Sequence, residues 1–277
     1  MIKAIFEYQF LQNAFIASIM ASIVCGIIGV IIVEKKLVMM SGGIAHTSYG
    51  GVGLGYLMGF EPIIGAFLFS ICAALGIGYI KRKGGTRSDV VIGLFWSLGM
   101  ALGILFVALM PGYPPDLSSY LFGNILSVTK ADLYLMISLT FIIVFVIVLL
   151  FNDWKAYLFD EEFASIIGIK TAFLEYLLLV LIAMTVVVLI RVVGIILVIA
   201  LLTAPAATAG MLASSLKKRM IYSVLFGTVF CIIGLWISYF INIASGAVIV
   251  IFSAISYFLV YFIHSRLKRG KSKRIKQ

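Results

Sequence analysis

Charge is the scarce ingredient of this chain. Of its 277 residues only 12% are Asp, Glu, Lys or Arg, against 63% hydrophobic, and the mean hydropathy is +1.20. So few polar groups cannot cover the apolar surface in water, which excludes a soluble globular domain and implies a polytopic membrane protein. Acid is scarcer than base, with 11 Asp and Glu against 21 Lys and Arg. The carboxylates fall at the ends of apolar runs or between them, Glu175 being the nearest to an interior. A buried carboxylate relay of the kind that drives proton-coupled pumps is therefore absent, and an ion-coupled carrier is disfavoured. Cys25, Cys72 and Cys231 are odd in number, lie within apolar runs and show no metal-type spacing. Disulfide framework and zinc cluster are both excluded, which leaves the three as small core residues.

The motifs that hold nucleotides or a catalytic zinc are missing as well: there is no phosphate loop, no His-Glu-x-x-His and no dinucleotide fingerprint. Arg269-Gly270-Lys271-Ser272 imitates the end of a phosphate loop, but Ser265 stands where the upstream glycine is needed and no strand precedes it. If the chain moves a solute uphill, the energy comes from another polypeptide. The first apolar run is too long for a signal peptide and lacks a small-residue cleavage site, so it is expected to stay attached as the first span.

What is present is a succession of apolar runs, each long enough to cross a hydrocarbon core of roughly 30 Å as a helix. They predict spans near 11–33, 41–59, 62–80, 90–110, 133–151, 173–190, 193–213, 220–241 and 245–263. The expected fold is an all-α polytopic transmembrane bundle of about nine spans. Eight remain open, because Arg191-Val192-Val193-Gly194 interrupts one long run and reads equally as a crossing, a kink or a re-entrant turn. Residues 1–265 form a single membrane domain and 266–277 a basic tail. With nine spans, Lys3, Lys130 and Arg191 fall on one side and the remaining 18 of the 21 basic residues on the other, which places the C-terminus in the cytoplasm. The net charge of +10 then faces anionic lipid or a partner protein rather than nucleic acid.

Within this apolar background His46 stands out, about ten residues beyond Lys36 and so roughly 15 Å into the membrane. An ionisable side chain at that depth marks a functional site by default. One reading is a neutral imidazole bonded to a nearby carbonyl or hydroxyl such as Thr47 or Ser48. The other is a ligand for zinc, manganese or iron on a transport path, one from each of two subunits. His46-Thr47-Ser48 superficially suggests a serine hydrolase, but residues i and i+2 point apart on a helix and the Gly-x-Ser-x-Gly elbow is incomplete. Gly51, Gly55 and Gly59, and again Gly99 and Gly103, recur every fourth residue, the pattern of closely packed membrane helices.

The long loop 152–172 contains a short helix signal. Asp160 suits the N-cap, Glu161 and Glu162 the first turn, Phe163, Ile166 and Ile167 one apolar face, and Gly168 the end. Such a face suits a protein groove better than anionic lipid. The opposite loop, 111–132 with Pro111, Gly112, Pro114, Pro115 and Asp116, is either a docking surface or a turn-rich connector.

Three segments carry a family resemblance: Ile32 to His46, Leu158 to Ile169, and Gly194 to Ala209. Together, in this order, they resemble the membrane permease subunit of ATP-binding-cassette importers for zinc, manganese or iron, over almost the whole chain. The resemblance implies a homodimer in the bacterial cell (inner) membrane, two cytoplasmic ATPase subunits that bind the ATP, and an extracytoplasmic metal-binding protein. It also implies that the permease holds no cofactor of its own, that the divalent metal is its cargo, and that the chain itself is no enzyme. Asp160 to Gly168 then corresponds to the helix that engages the ATPase, and His46 to the family histidine facing the path. Where the family commonly carries an Asp four residues before that histidine, this chain has Gly42. Ser41, Thr47 and Pro205 are pathway-lining or hinge candidates, Pro205 because it removes a backbone bond inside a span. Two alternatives remain: a permease for a metal chelate or cobalamin-like solute, and an intramembrane enzyme. Ser48→Ala separates the last from the others, since metal uptake by a permease survives it nearly unchanged while a Ser48-dependent hydrolytic activity is abolished.

Overall fold

A computed structural model describes residues 7–84, 88–112, 123, 125–241 and 243–274. Among them are ten α-helices, one 3-10 turn at Ile125–Ser127, and no strand, as the apolar runs predict. In chain order the helices are α1 Gln9–Glu34, α2 Val38–Met58, α3 Pro62–Arg82, α4 Ser88–Ala108, α5 Lys130–Leu149, α6 Phe151–Phe159, α7 Glu161–Ile166, α8 Thr171–Leu212, α9 Leu216–Ile241 and α10 Ser245–Arg274. Their ends follow local chemistry. Pro62 opens α3 where a missing N–H costs nothing, Thr129 and Asp132 form a reciprocal capping box at α5, and Gly59 closes α2 in the left-handed conformation. The basic residues from Arg266 extend α10 without a break to Arg274.

Seven helices are long and apolar enough to cross a membrane, fewer than the nine expected spans, and the difference lies in two places. α2 is 21 residues long, but Gly, Ser, Thr and His dilute its hydropathy. α8 is one helix of 42 residues broken at Gly194, whose φ of 77° and ψ of 160° are not helical. Straight, it would measure about 63 Å, twice a hydrocarbon core. It does not run straight. Glu175 near its start bonds Lys81 and Arg82 at the end of α3. Ala213, just past its end, accepts a bond from Arg219, whose guanidinium pairs with Glu34 at the end of α1. Both ends of α8 therefore lie on one side of the bundle, and the chain turns back at Gly194.

On the far side Arg191 is held by Asp132 at 2.8 Å and Glu61 at 2.9 Å, so ion pairs tie α3 to the first half of α8 at both ends. α1 and α8 are the most buried of these seven helices. α2 packs between α3 and α4. There the glycine spacing does what it predicts: a Cβ on Gly51 would overlap the Gly65 carbonyl, and one on Gly99 the Thr47 backbone. Gly59 is an exception to the packing reading, since it meets nothing and serves as a helix end. Cys72 is another correction. Cys25 and Cys231 are buried as expected, but Cys72 is exposed, on an α3 face that is turned away from the core. Pro114, Pro115 and Asp116 of the loop 111–132 lie outside the described residues.

Gly194→Ala is expected to destabilise the protein by about 1–3 kcal/mol, because a side chain at that φ is strained. Gly210→Ala, in open space on the same helix, is the control and leaves the apparent melting temperature of the detergent-solubilised protein within error of wild type.

Candidate metal pathway and docking helix

His46 sits two turns into α2 and is half-buried. Its ring lies flat against the indole of Trp96 on α4, with centroids 4.0 Å apart and planes 10° off parallel. The stack exists because the two backbones nearly touch. Ile92 fills the space beside Gly43, Gly99 accepts the Thr47 backbone, and the Thr47 hydroxyl donates across to the Phe95 carbonyl at 2.9 Å as well as to Gly43 at 2.7 Å.

The neighbouring hydroxyls do not serve the imidazole. Ser48 donates to Ala45 at 2.6 Å and Ser41 to Val38 at 2.8 Å, each on its own helix. His46 Nδ1 is buried with no hydrogen-bond partner. An unpaired buried ring nitrogen costs free energy, and neither Thr47 nor Ser48 supplies a bond to it. Among the described residues no group of three or more His, Cys, Asp or Glu could cage a metal. The site thus offers a single imidazole, suited to an ion that must leave as well as enter. Gly42, one turn before His46, is buried, yet a Cβ there would meet only Trp96 Cζ3 at an ordinary 3.5 Å. Packing does not demand glycine at that position.

The stack gathers His46, Thr47 and Trp96. Ser41 is occupied within α2, and Pro205 lies buried in the second half of α8, where the backbone remains helical. Thr203 bonds Ile199 and Ala200, and Thr208 bonds Ala204, so the irregular point of α8 is Gly194 rather than Pro205. Trp96 was missed by sequence reasoning. Its only signal is a bulky indole three residues before Gly99, with nothing to link it to a histidine fifty positions earlier.

At the basic end of the bundle, Asp160 caps α7 by accepting from the Phe163 amide at 3.0 Å, and Gly168 follows at φ +90°. Phe159 is 90% exposed, Ile166 82%, and Phe163 and Ile167 54% each, an apolar face left uncovered among the described residues. Beneath it Trp154 and Tyr157 anchor α6 in the core. Glu161 at the start of α7 bonds Lys35 at 2.8 Å, and the Lys35 ammonium lies 3.5 Å above the Tyr157 ring. Burial, with Glu175 and Glu161 nearby, pushes the Tyr157 phenol above its ordinary pKa, so a neutral ring faces the cation. Lys35 closes α1, three residues before α2 begins. The exposed apolar face and the helix carrying His46 are thereby joined through one side chain.

A family profile described as the ABC 3 transport family matches residues 7–264. The chain is 43% identical over 259 residues to the uncharacterized membrane protein slr2045 of Synechocystis, covering 94% of this chain and 92% of that one. It is 37% identical over 260 residues to the manganese transport system membrane protein MntC of Listeria monocytogenes, again covering 94% and 92%. In structure it is similar to a chain of PsaBC from Streptococcus pneumoniae in complex with Fab, with TM-score 0.88, 35% identity and 98% of both chains covered.

Asp160→Ala removes the cap of α7, and a loss of about 1 kcal/mol of local stability is expected. Hydrogen exchange at the Phe163 and Ala164 amides should accelerate about fivefold, with the amides of α1 unchanged.

Proposed function

The chain belongs to the ABC 3 transport family, and we propose that it is the homodimeric permease of an ATP-driven importer of zinc, manganese or iron. It is a multi-pass plasma-membrane protein. Two cytoplasmic ATPase subunits bind and hydrolyse the ATP, the permease itself hydrolysing nothing, and an extracytoplasmic metal-binding protein delivers the cargo. Nine crossings are proposed, counting α2 and both halves of α8, with the C-terminus and the docking helix in the cytoplasm. The return of α8 at Gly194 and the clustering of Lys and Arg at one end of the bundle support this topology.

The observation that carries the metal reading is the buried, unpaired Nδ1 of His46. A transported cation takes that nitrogen, and His46 of each protomer contributes one ligand. Trp96 fixes the ring plane, so the nitrogen does not have to be oriented when metal arrives. Imidazole without a nearby carboxylate suits zinc or iron better than manganese, and zinc is the reading favoured by the donor. Several relatives, MntC of Listeria monocytogenes among them, are named for manganese transport, and the test below includes that metal.

Movement begins at the exposed face of Phe159, Phe163, Ile166 and Ile167, which seats in a groove of the ATPase. When ATP closes the two ATPase subunits, α7 moves, and Glu161 draws Lys35 and the α1–α2 elbow with it. α2 tilts within the slot between α3 and α4, and His46 is exposed alternately to the two sides. A chelate or cobalamin-like solute would require a wider path, and the tight α2–α4 contact at Gly99 and Gly103 speaks for a bare ion.

Uptake of zinc, manganese and iron is measured in cells expressing the chain with its ATPase. His46→Ala is expected to lower uptake of the transported metal at least about tenfold with the protein still in the membrane. Gly42→Asp places a carboxylate one turn from His46, in space that admits its Cβ, and should shift the uptake ratio toward manganese. Unchanged uptake in His46→Ala would remove this residue from the path.

A further inference from the structure

α5 and α9 both pack on α1 without closing over it. α9 lies so near that a Cβ on Gly26 would come within 2.8 Å of Val224. Between the outer faces of α5 and α9 remains a cleft of about 580 Å³, with Ile27 of α1 among the residues lining it. Its walls are Val144 and Val148 on one side and Ile221 and Leu225 on the other, and Lys217 is the one charged residue lining it. From Lys217 to Leu225 the wall rises roughly 12 Å, most of the roughly 15 Å depth of one leaflet's hydrocarbon.

The end of the cleft at Lys217 attracts anions through its cations. The 26-residue α9 begins Leu216-Lys217-Lys218-Arg219 with no acid in its first turn, the reverse of what a helix dipole favours. The Lys218 and Arg219 amides are taken by Ser215, so the pull on an anion at this end comes from the cations. Arg219 is already neutralised by Glu34, whereas Lys217 has no carboxylate partner among the described residues. An apolar slot as deep as a leaflet that ends in an uncompensated cation is complementary to one class of molecule.

We propose that this cleft binds an anionic phospholipid, one acyl chain lying between α5 and α9 and the headgroup phosphate on Lys217 and the first turn of α9. The site borders the docking helix. Leu216 and Arg219 also line the adjoining cleft, about 680 Å³, together with Phe159 and Phe163. The bound headgroup fills the gap between α9 and the ATPase-docking face, so the lipid is part of the surface on which the coupling helix moves. Which leaflet supplies it follows from the cytoplasmic placement of that helix, but the binding itself is independent of the metal.

The test is native mass spectrometry of the permease in complex with its ATPase, with dioleoyl phosphatidylglycerol or dioleoyl phosphatidylcholine added. Wild type is expected to retain phosphatidylglycerol about fivefold better, the effect of one Lys at an anionic headgroup. Lys217→Ala should equalise the two lipids and Lys217→Arg restore the preference. Ile221→Trp, which fills the cleft, should lose bound lipid of both kinds, and Lys170→Ala, away from it, should change nothing. Equal retention of the two lipids by wild type, or a preference that survives Lys217→Ala, would overturn the proposal. So would an Ile221→Trp variant that loses the permease dimer while keeping its lipid, since the cleft would then belong to a second copy of the chain.

Discussion

Everything around His46 depends on how closely α2 can be approached by its two neighbours. In lipid no hydrophobic force drives helices together, so contact must come from fitted backbones. Gly51 against Gly65 on one side, and Gly99 and Gly103 against the backbones of Thr47 and Tyr49 on the other, let α3 and α4 close on α2, with the Ile92 side chain seated over Gly43. The same closeness lets Thr47 reach the Phe95 carbonyl and lays Trp96 flat on His46. A single methyl group at Gly51 or Gly99 would force the helices apart and with them the stack. The cost of this design is a weakly hydrophobic α2, enclosed by protein because it is poorly suited to face lipid.

The few charges are arranged with equal economy. Among the described residues, ion pairs occur at the two ends of the bundle and not within it. Glu61, Asp132 and Arg191 form one layer, and Lys35–Glu161, Glu34–Arg219 and Glu175 with Lys81 and Arg82 form the other. Removing one partner of a buried pair such as Glu175, whose side chain is 7% exposed, leaves cations uncompensated, which costs more than the pair contributes. The layer that holds Lys35 does more than brace the helices. It connects an exposed apolar face to the start of α2, so that α7 and the helix carrying His46, more than a hundred residues apart in sequence, are joined through Lys35.

Much of this was legible beforehand, for identifiable reasons. Helix positions followed from apolar runs, since a membrane helix satisfies its own backbone. The helix at Glu161–Ile166 was legible because its signals, Asp160 and Gly168, act within a few residues. The return at Gly194 was visible only as an interruption, because a glycine in the left-handed region and a simple kink have the same sequence signature. His46 was found by its cost in lipid. Trp96 was not, because nothing local relates it to position 46, and the freedom of the His46 ring nitrogen depended on where Thr47 and Ser48 sent their hydroxyls. Cys72 was misjudged because apolar runs reveal burial in the membrane without telling core from lipid.

The most direct test of the central claim, that metal passes by way of His46 nitrogen, is X-ray absorption at the metal edge on the metal-loaded permease in complex with its ATPase. The account predicts imidazole scattering with a metal–nitrogen distance of about 2.0–2.1 Å for zinc, lost in His46→Ala. A first shell of oxygen alone, or an imidazole signal that persists in that variant, would contradict it.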